Sequence, residues 1–383
     1  MKPLSIGITC YPSVGGSGIV ASQLGSELAR LGHKVHFIAY EPPFRLERNH
    51  PRVMFHQVEL NEYGVFKYPD YTLPLAVKMV AVADKFKLDV LHVHYAVPHA
   101  TAALLATQIA REQCKHTPQV ITTLHGTDIT LLGRDPNLRP IIKYSIESSG
   151  GVTAVSESLK KETTQVLKTR KPIQVIYNFF RPKPPSKSRA EARRILQVKD
   201  AEFLLIHMSN LRPVKRIPDV LRVLAAVPEV KLLVLAGAPF DEYLALVKKL
   251  GVSRRLIVLP MVLDIENYIH AADAGLYASE KESFGMGVLE TMSYGKPVVA
   301  TRVGGVAEIV EHDRSGFLNR KGDVGSMADA VRRLAGDRAL ASSMGEHARA
   351  RAAKHFSPQK SVAQYVDLYR RTIAGSRLPH RPR

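Results

Sequence analysis

Short apolar runs alternate with longer stretches of helical period from the start of the chain. "LSIGIT" precedes the helical "SGIVASQLGSELARLG", and "KVHFIAY" follows. "DVLHVHY" leads into "VPHATAALLATQIAREQ" and then "QVITTLH"; "GVTAVS" leads into "ESLKKETTQVLK" and then "IQVIYN". The strand-like runs are continuously apolar rather than alternating, as expected when helices cover both faces of a parallel sheet. The pattern predicts a doubly wound α/β domain over residues 1–178.

The rhythm stops near Asn178. "FFRPKPPSKS" holds three prolines and no apolar period, which marks a linker over 179–188. A second series follows: "FLLIHMS", "KLLVLAG", "LIVLP", "AGLYAS" and "KPVVAT", each succeeded by a helical or turn segment. It predicts a second Rossmann-like domain over 189–355. The stretches after 323 are polar and amphipathic. The last, about 356–373, is expected to cross back to the first domain and leave a basic tail at 374–383. Two such domains on a hinge would place a ligand cleft at the C-terminal edges of their sheets.

Composition narrows the function. A chain of 383 residues with 45% hydrophobic and 23% charged residues suits two globular domains. The apolar run at the N-terminus is too short for a signal peptide, and no run of about 18 apolar residues implies membrane insertion. Cys10 and Cys114 read as free thiols in a reducing cytoplasm, so a cytoplasmic location is expected. The net charge of +19 implies an anionic partner. Residues 181–199 hold seven Lys/Arg against one Glu, and the tail carries Arg370, Arg371, Arg377, Arg381 and Arg383. No zinc spacing, aromatic RNP-type strand or helix-turn-helix accompanies this charge, so anionic metabolites are favoured over nucleic acid.

Several clusters carry chemistry. "SVGGSG", Ser13 to Gly18, joins the first strand to the first helix and offers glycine backbone and free N–H groups to an anion. Gly16, Gly18 and Ala21 also satisfy a dinucleotide pattern, with Glu41 as a ribose acceptor. The five residues from Cys10 to Val14 leave more room than such a turn has, so an anion cradle is the better reading. His92 and His94 point the same way on a strand, where a core role outweighs metal ligation. His125 stands at the end of a strand before the turn formers Gly126, Thr127 and Asp128, placed to orient a hydroxyl. In "SNLRPVKR", Arg212 and Lys215 enter a helix and suit a diphosphate without metal. No D-x-D sequence occurs. In "ESFGMGVLE", Glu282 lies in a loop before a helix and Glu290 about two turns inside it. With the Ser283-to-Met286 N–H groups between them, the pair suits sugar and ribose hydroxyls rather than one metal.

These residues together resemble the retaining GT-B glycosyltransferases of family four, over roughly residues 3 to 370. Glu282 and Glu290 match that family's E-x7-E donor motif. "GITCYPSVGGSG", "PFRL", "HVHYAVPHA", "TTLHGTDIT", "VTAVSESL", "YNF" and "SNLRPVKR" resemble the branch that uses UDP-N-acetylglucosamine and L-malate at the start of bacillithiol synthesis. The resemblance implies a donor site of Gly16, Asn210, Arg212, Lys215, Glu282, Ser283, Phe284, Gly285, Met286 and Glu290. It implies Gly16, Ser17, Tyr95 and Thr123 on the acceptor side. Arg139 or Lys143, on the helix after "TTLHGTD", is expected to add a cation for the malate carboxylates.

The family usually has Gly-Arg where this chain has Ser209-Asn210, which leaves Arg212 to supply the missing charge. Retention by front-face attack is implied, with no cofactor and no metal. Arg212 and Lys215 would stabilise departing UDP while His125 holds the sugar, and domain closure would exclude water. Catalysis would thus rest on His125, Arg212, Lys215 and Glu282. Three alternatives stay open: a family member acting on a membrane lipid or other polyol, a nucleotide-sugar epimerase, and a nucleic-acid-binding protein. Association as a homodimer is also left open.

Overall fold

The computed structural model describes residues 2–12, 16–47, 49–59 and 71–376. Residues 13–15 of the glycine loop and the tail from Arg377 lie outside the described residues. The chain divides into two compact units, one of residues 1–178 with 358–383 and one of residues 179–357.

The first unit holds a seven-stranded parallel sheet. Its strands are β1 (Ser5–Thr9), β2 (Lys34–Ala39), β3 (Val53–Gln57), β4 (Val90–His94), β5 (Gln119–Leu124), β6 (Gly151–Ala154) and β7 (Gln174–Val175), in the order β3-β2-β1-β4-β5-β6-β7. The second unit holds six parallel strands: β8 (Phe203–Ser209), β9 (Val230–Ala236), β10 (Leu256–Pro260), β11 (Ala274–Tyr277), β12 (Val298–Thr301) and β13 (Gly316–Asn319). Their order is β10-β9-β8-β11-β12-β13. These are doubly wound sheets, each reversing its winding once, between β1 and β4 and between β8 and β11. In open α/β sheets that switch point is where ligands bind, outside the C-terminal ends of the strands.

The central strands are buried on both faces, which explains their unbroken apolar runs: β1, β4, β5 and β11 are almost wholly buried. Two strands escaped the sequence pattern, β3 and β13. Both are sheet edges, and β3, "VMFHQ", is only half buried along most of its length. An edge strand needs no continuous apolar run, so its signal is weak. The helix Thr72–Phe86 was also not singled out; its buried side, Leu75, Ala76, Met79, Val82 and Ala83, packs into the first unit's core.

The helix Pro358–Ser376 belongs to the first unit. Tyr365 and Tyr369 lie inward on it, fully buried against His92, with ring centroids 5.2 and 5.6 Å away. A Cβ on Gly151 would stand 2.8 Å from Ile121 Cδ1 and 3.2 Å from Leu368 Cδ1, so glycine lets this helix approach β6. At the start of the second unit, Ser188 caps the helix Arg189–Ile195 by accepting from the Glu191 N–H at 3.2 Å. Among the described residues, no helix is long and apolar enough to cross a membrane.

Candidate active site

In the second unit, the loop after β8 and the loop after β11 meet at the switch point. The Lys215 ammonium donates to Glu282 Oε1 at 2.5 Å, and the Ser279 hydroxyl donates to the same oxygen at 2.8 Å. Both charged side chains are mostly covered, Lys215 at 21% and Glu282 at 16% exposure, which makes the pair stronger than a solvated one. The loop is fixed by glycine. Gly305 N–H donates to the Glu282 carbonyl at 3.0 Å. A Cβ on Gly304, whose φ is +44°, would stand 1.9 Å from that carbonyl oxygen. Only glycine fits such an approach at such a φ.

Gly285 takes φ 111° just ahead of the helix Met286–Ser293. Met286 opens the helix, whose first-turn N–H groups have no intrahelical partner, and a ligand oxygen can use them. Phe284 is buried, its ring edge-on to Phe356 at 5.8 Å. Ser283 leads into that turn. Glu290 is the fifth residue of the helix, just over one turn in rather than two, and is buried at 6% exposure. A solvated helix face does not describe it. Tyr277 braces the first turn by donating to the Gly287 carbonyl at 2.9 Å.

Asn210 directly follows β8, and its Oδ1 is buried without a hydrogen-bond partner among the described residues. Arg212 is exposed and makes no ion pair among them. That leaves its guanidinium available to an anion. His207 supports the turn from below: it bonds the Leu276 carbonyl at 2.7 Å and the Ser209 hydroxyl at 2.8 Å, and burial pulls its pKa down to about 4.

The first unit's edge is built differently. His94 ends β4 and His125 follows β5, and His94 Nδ1 meets His125 Nε2 at 2.7 Å. Tyr95 has φ 90°, a conformation that side chains rarely adopt, and is held there by neighbours. Its N–H donates to the Thr123 carbonyl at 3.0 Å, and His99 Nδ1–H donates to the His94 carbonyl just before it. The Tyr95 ring lies 5.4 Å from both the His125 and the Tyr11 rings.

Asp128 is fully buried and ties the two loops together. It accepts from Gly126 N–H at 2.9 Å and from Ala96 N–H at 3.3 Å. Burial raises its pKa to about 6 against these N–H groups, which favour the charged form. Burial also pulls His92 and His125 down to about 3 and His99 to about 4, so all three are neutral at neutral pH. Helix Gly16–Arg30 begins at this edge, with Gly16 exposed and Ser17 buried.

Three residues expected on the acceptor side have partners within the first unit. Thr123 is fully buried, and its hydroxyl contacts His92 Nε2 and Thr153 Oγ1, each at 2.7 Å. It faces the interior because it shares a sheet face with His92 and the helix Pro358–Ser376. Arg139 spends its guanidinium on the Gly133 and Arg134 carbonyls at 3.1 and 3.2 Å. Lys143 reaches the Lys168 carbonyl at 3.4 Å, at the far end of helix Glu157–Leu167. His92 is equally committed: Nδ1 lies 2.7 Å from the Tyr369 hydroxyl. Among the described residues, no group of three or more His, Cys, Asp or Glu is placed to hold a metal ion. Sequence reasoning missed Ser279, Asp128 as a bridge, and the Gly304-Gly305 clamp. Only the clamp left a signal, a Gly-Gly just past a strand.

Two doubly wound parallel sheets, with a Lys–Glu pair and a glycine-capped helix at one switch point, define a GT-B glycosyltransferase, and the chain belongs to glycosyltransferase family 4. Residues 14–183 match the model described as Glycosyltransferase Family 4, and residues 188–351 the model described as Glycosyl transferases group 1. The chain is 44% identical to the N-acetyl-alpha-D-glucosaminyl L-malate synthase of Bacillus anthracis, over 96% of each chain. It is 28% identical to the D-inositol 3-phosphate glycosyltransferase of Mycobacterium tuberculosis, over 94% of this chain and 79% of that one. Among solved structures it resembles HepE of Anabaena in complex with UDP and glucose. The TM-score is 0.79, with 23% identity over 98% of this chain and 100% of that one.

Proposed function

We propose that the enzyme moves N-acetylglucosamine from UDP-N-acetylglucosamine to the hydroxyl of L-malate, with retention at the anomeric carbon, as the first step of bacillithiol synthesis. The bond from the anomeric carbon to the UDP oxygen breaks, and a bond to the malate hydroxyl oxygen forms. The hydroxyl proton passes to the leaving diphosphate. No covalent glycosyl-enzyme is required.

The observation that carries this reading is the likeness to the Bacillus anthracis synthase, because it runs through both units at 44% identity. The donor would lie on the second unit. Lys215 and Arg212 would face the diphosphate, Glu282 the sugar hydroxyls and Glu290 the ribose. The Ser283–Met286 backbone would supply N–H groups to donor oxygens. Asn210 stands at the position of the family's arginine, and exposed Arg212 would carry that charge. The acceptor would lie on the first unit, at the start of helix Gly16–Arg30 with Ser17 and Tyr95, where a helix N-terminus favours a carboxylate. A cytoplasmic setting is part of the proposal, since both substrates are small charged metabolites.

Release of UDP from UDP-N-acetylglucosamine with a panel of acceptors tests it. L-malate should support turnover, while glycerol and inositol, which bring no carboxylate, should be poor. Equal kcat/KM for inositol and L-malate would remove the malate half and leave only the donor half.

A further inference from the structure

His94 and His125 share one hydrogen bond across neighbouring strands, and their rings stack at 5.0 Å with an interplanar angle of 23°. Burial holds both imidazoles far below the usual range, so each ring is neutral and carries one proton. Only one of those protons can occupy the shared bond. The two possible arrangements differ in where the other goes. If His125 donates from Nε2, His94 must carry its own proton on Nε2. That atom is buried and has no hydrogen-bond partner among the described residues, so an N–H would be stranded in the interior. If His94 donates from Nδ1, its Nε2 is a bare lone pair, and His125 carries its proton on Nδ1.

An orphan buried N–H is rarer and costlier than an unused lone pair. His99 shows the same preference beside it. Its Nδ1 faces the His94 carbonyl, which only accepts, so its Nε2 is a bare lone pair, again buried and without a partner among the described residues. We propose that His94 is a positioning residue that locks His125 in the Nδ1–H form, making it a hydrogen-bond donor to a ligand oxygen and removing it as a base. His125 is half-buried, and its Nδ1 makes no hydrogen bond among the described residues. The Nε2 lone pair, which a base would need, is occupied by His94.

The consequence for catalysis rests on the proposed glycosyl transfer. A neutral donor at this edge orients a carboxylate, carbonyl or hydroxyl oxygen, and the acceptor's proton has to leave by another group. The tautomer itself does not depend on that reading, so the two fail separately.

Two-bond proton–nitrogen correlation on the 15N-histidine-labelled full chain, with side chains assigned through their backbones, reads the tautomers directly. His125 and His94 should both be protonated at Nδ1. Protonation of His125 at Nε2 would overturn the proposal, whatever the enzyme's activity. His94→Asn keeps an N–H close to the position of Nδ1 and should leave kcat within about threefold. His94→Leu removes that donor, and kcat should fall about tenfold or more with little change in UDP affinity. A folded His94→Leu enzyme with unchanged kcat and an Nδ1–H His125 would also overturn it. If His94→Leu does not fold, the wild-type spectrum alone decides.

Discussion

The two units share one architecture, yet their sheet edges work with opposite materials. The second unit places charge at its switch point: the Lys215–Glu282 pair, exposed Arg212 and buried Glu290 on a helix opened by Gly285. The first unit assembles neutral rings, His92, His94, His99 and His125 with Tyr11 and Tyr95, around one buried carboxyl, Asp128. Under the proposed function, a diphosphate would demand charge compensation, and Lys215 and Arg212 would provide it. On the same reading, a site that orients a small acceptor would need fixed dipoles, and a buried hydrogen-bonded ring network would provide those. The difference lies in the side chains, since the fold is the same in both.

Acid should separate the units most strongly. Free imidazole titrates near 6.5, while the folded values in the first unit are about 3 for His92, about 4 for His99 and well below 6.5 for His94. These folded values are depressed, so their stabilisation is present above about 6.5 and is lost as pH falls toward them. Each fully buried ring should cost about 1.4 kcal/mol per pH unit in that window. Asp128, raised from 3.8 to about 6, acts the other way, because the folded state takes up its proton first. It is one group against several, whereas the second unit's site holds one such ring, His207, pulled down to about 4. Hydrogen exchange between pH 7 and 5 should show the first unit losing protection before the second, and the reverse order would contradict the contrast.

Gly304→Val should injure the second unit alone, by about 3 kcal/mol, because its Cβ would push on the Glu282 carbonyl. Thermal melting and local exchange would report it, with the first unit's protection unchanged. Lys215→Met leaves Glu282 without its ion-pair partner and takes a cation from the donor edge. UDP affinity should fall on the order of 100-fold, measured by calorimetry. A smaller effect is expected at Thr123→Val. It strips a hydrogen bond from His92 and from Thr153, and should cost about 1–2 kcal/mol of stability with malate KM unchanged. A raised KM at constant stability would return Thr123 to the acceptor set.

The contrast also explains what could be read from sequence. Both sheets were legible because buried parallel strands are continuous apolar runs, while the half-buried edge strand β3 and the four-residue β13 were not. Lys215, Glu282, Gly285 and Glu290 stood out in the sequence because they sit in two short segments, after β8 and after β11, which the parallel sheet makes neighbours although 67 positions separate Lys215 from Glu282. The surroundings of Thr123, Arg139 and Lys143 were not legible, because partners elsewhere in the fold set them. The direction of Thr123 is set by His92, 31 positions away, and by Tyr365, 242 positions away. Arg139 and Lys143 donate to backbone carbonyls at turns and helix ends, and Lys143 also lies 3.8 Å from the Glu147 carboxylate. Asp128 was visible only as a turn former, because its partner Ala96 follows a different strand.

One titration tests most directly whether the donor binds at the second unit's edge. UDP is titrated by calorimetry into the wild type, Glu290→Gln and His125→Asn. Glu290→Gln keeps size but weakens acceptance from the ribose hydroxyls, so affinity should fall about 10- to 150-fold, the equivalent of about 1.5–3 kcal/mol. His125→Asn should bind UDP as the wild type does. Wild-type affinity in Glu290→Gln, or a comparable loss in His125→Asn, would contradict the placement of the donor on the second unit.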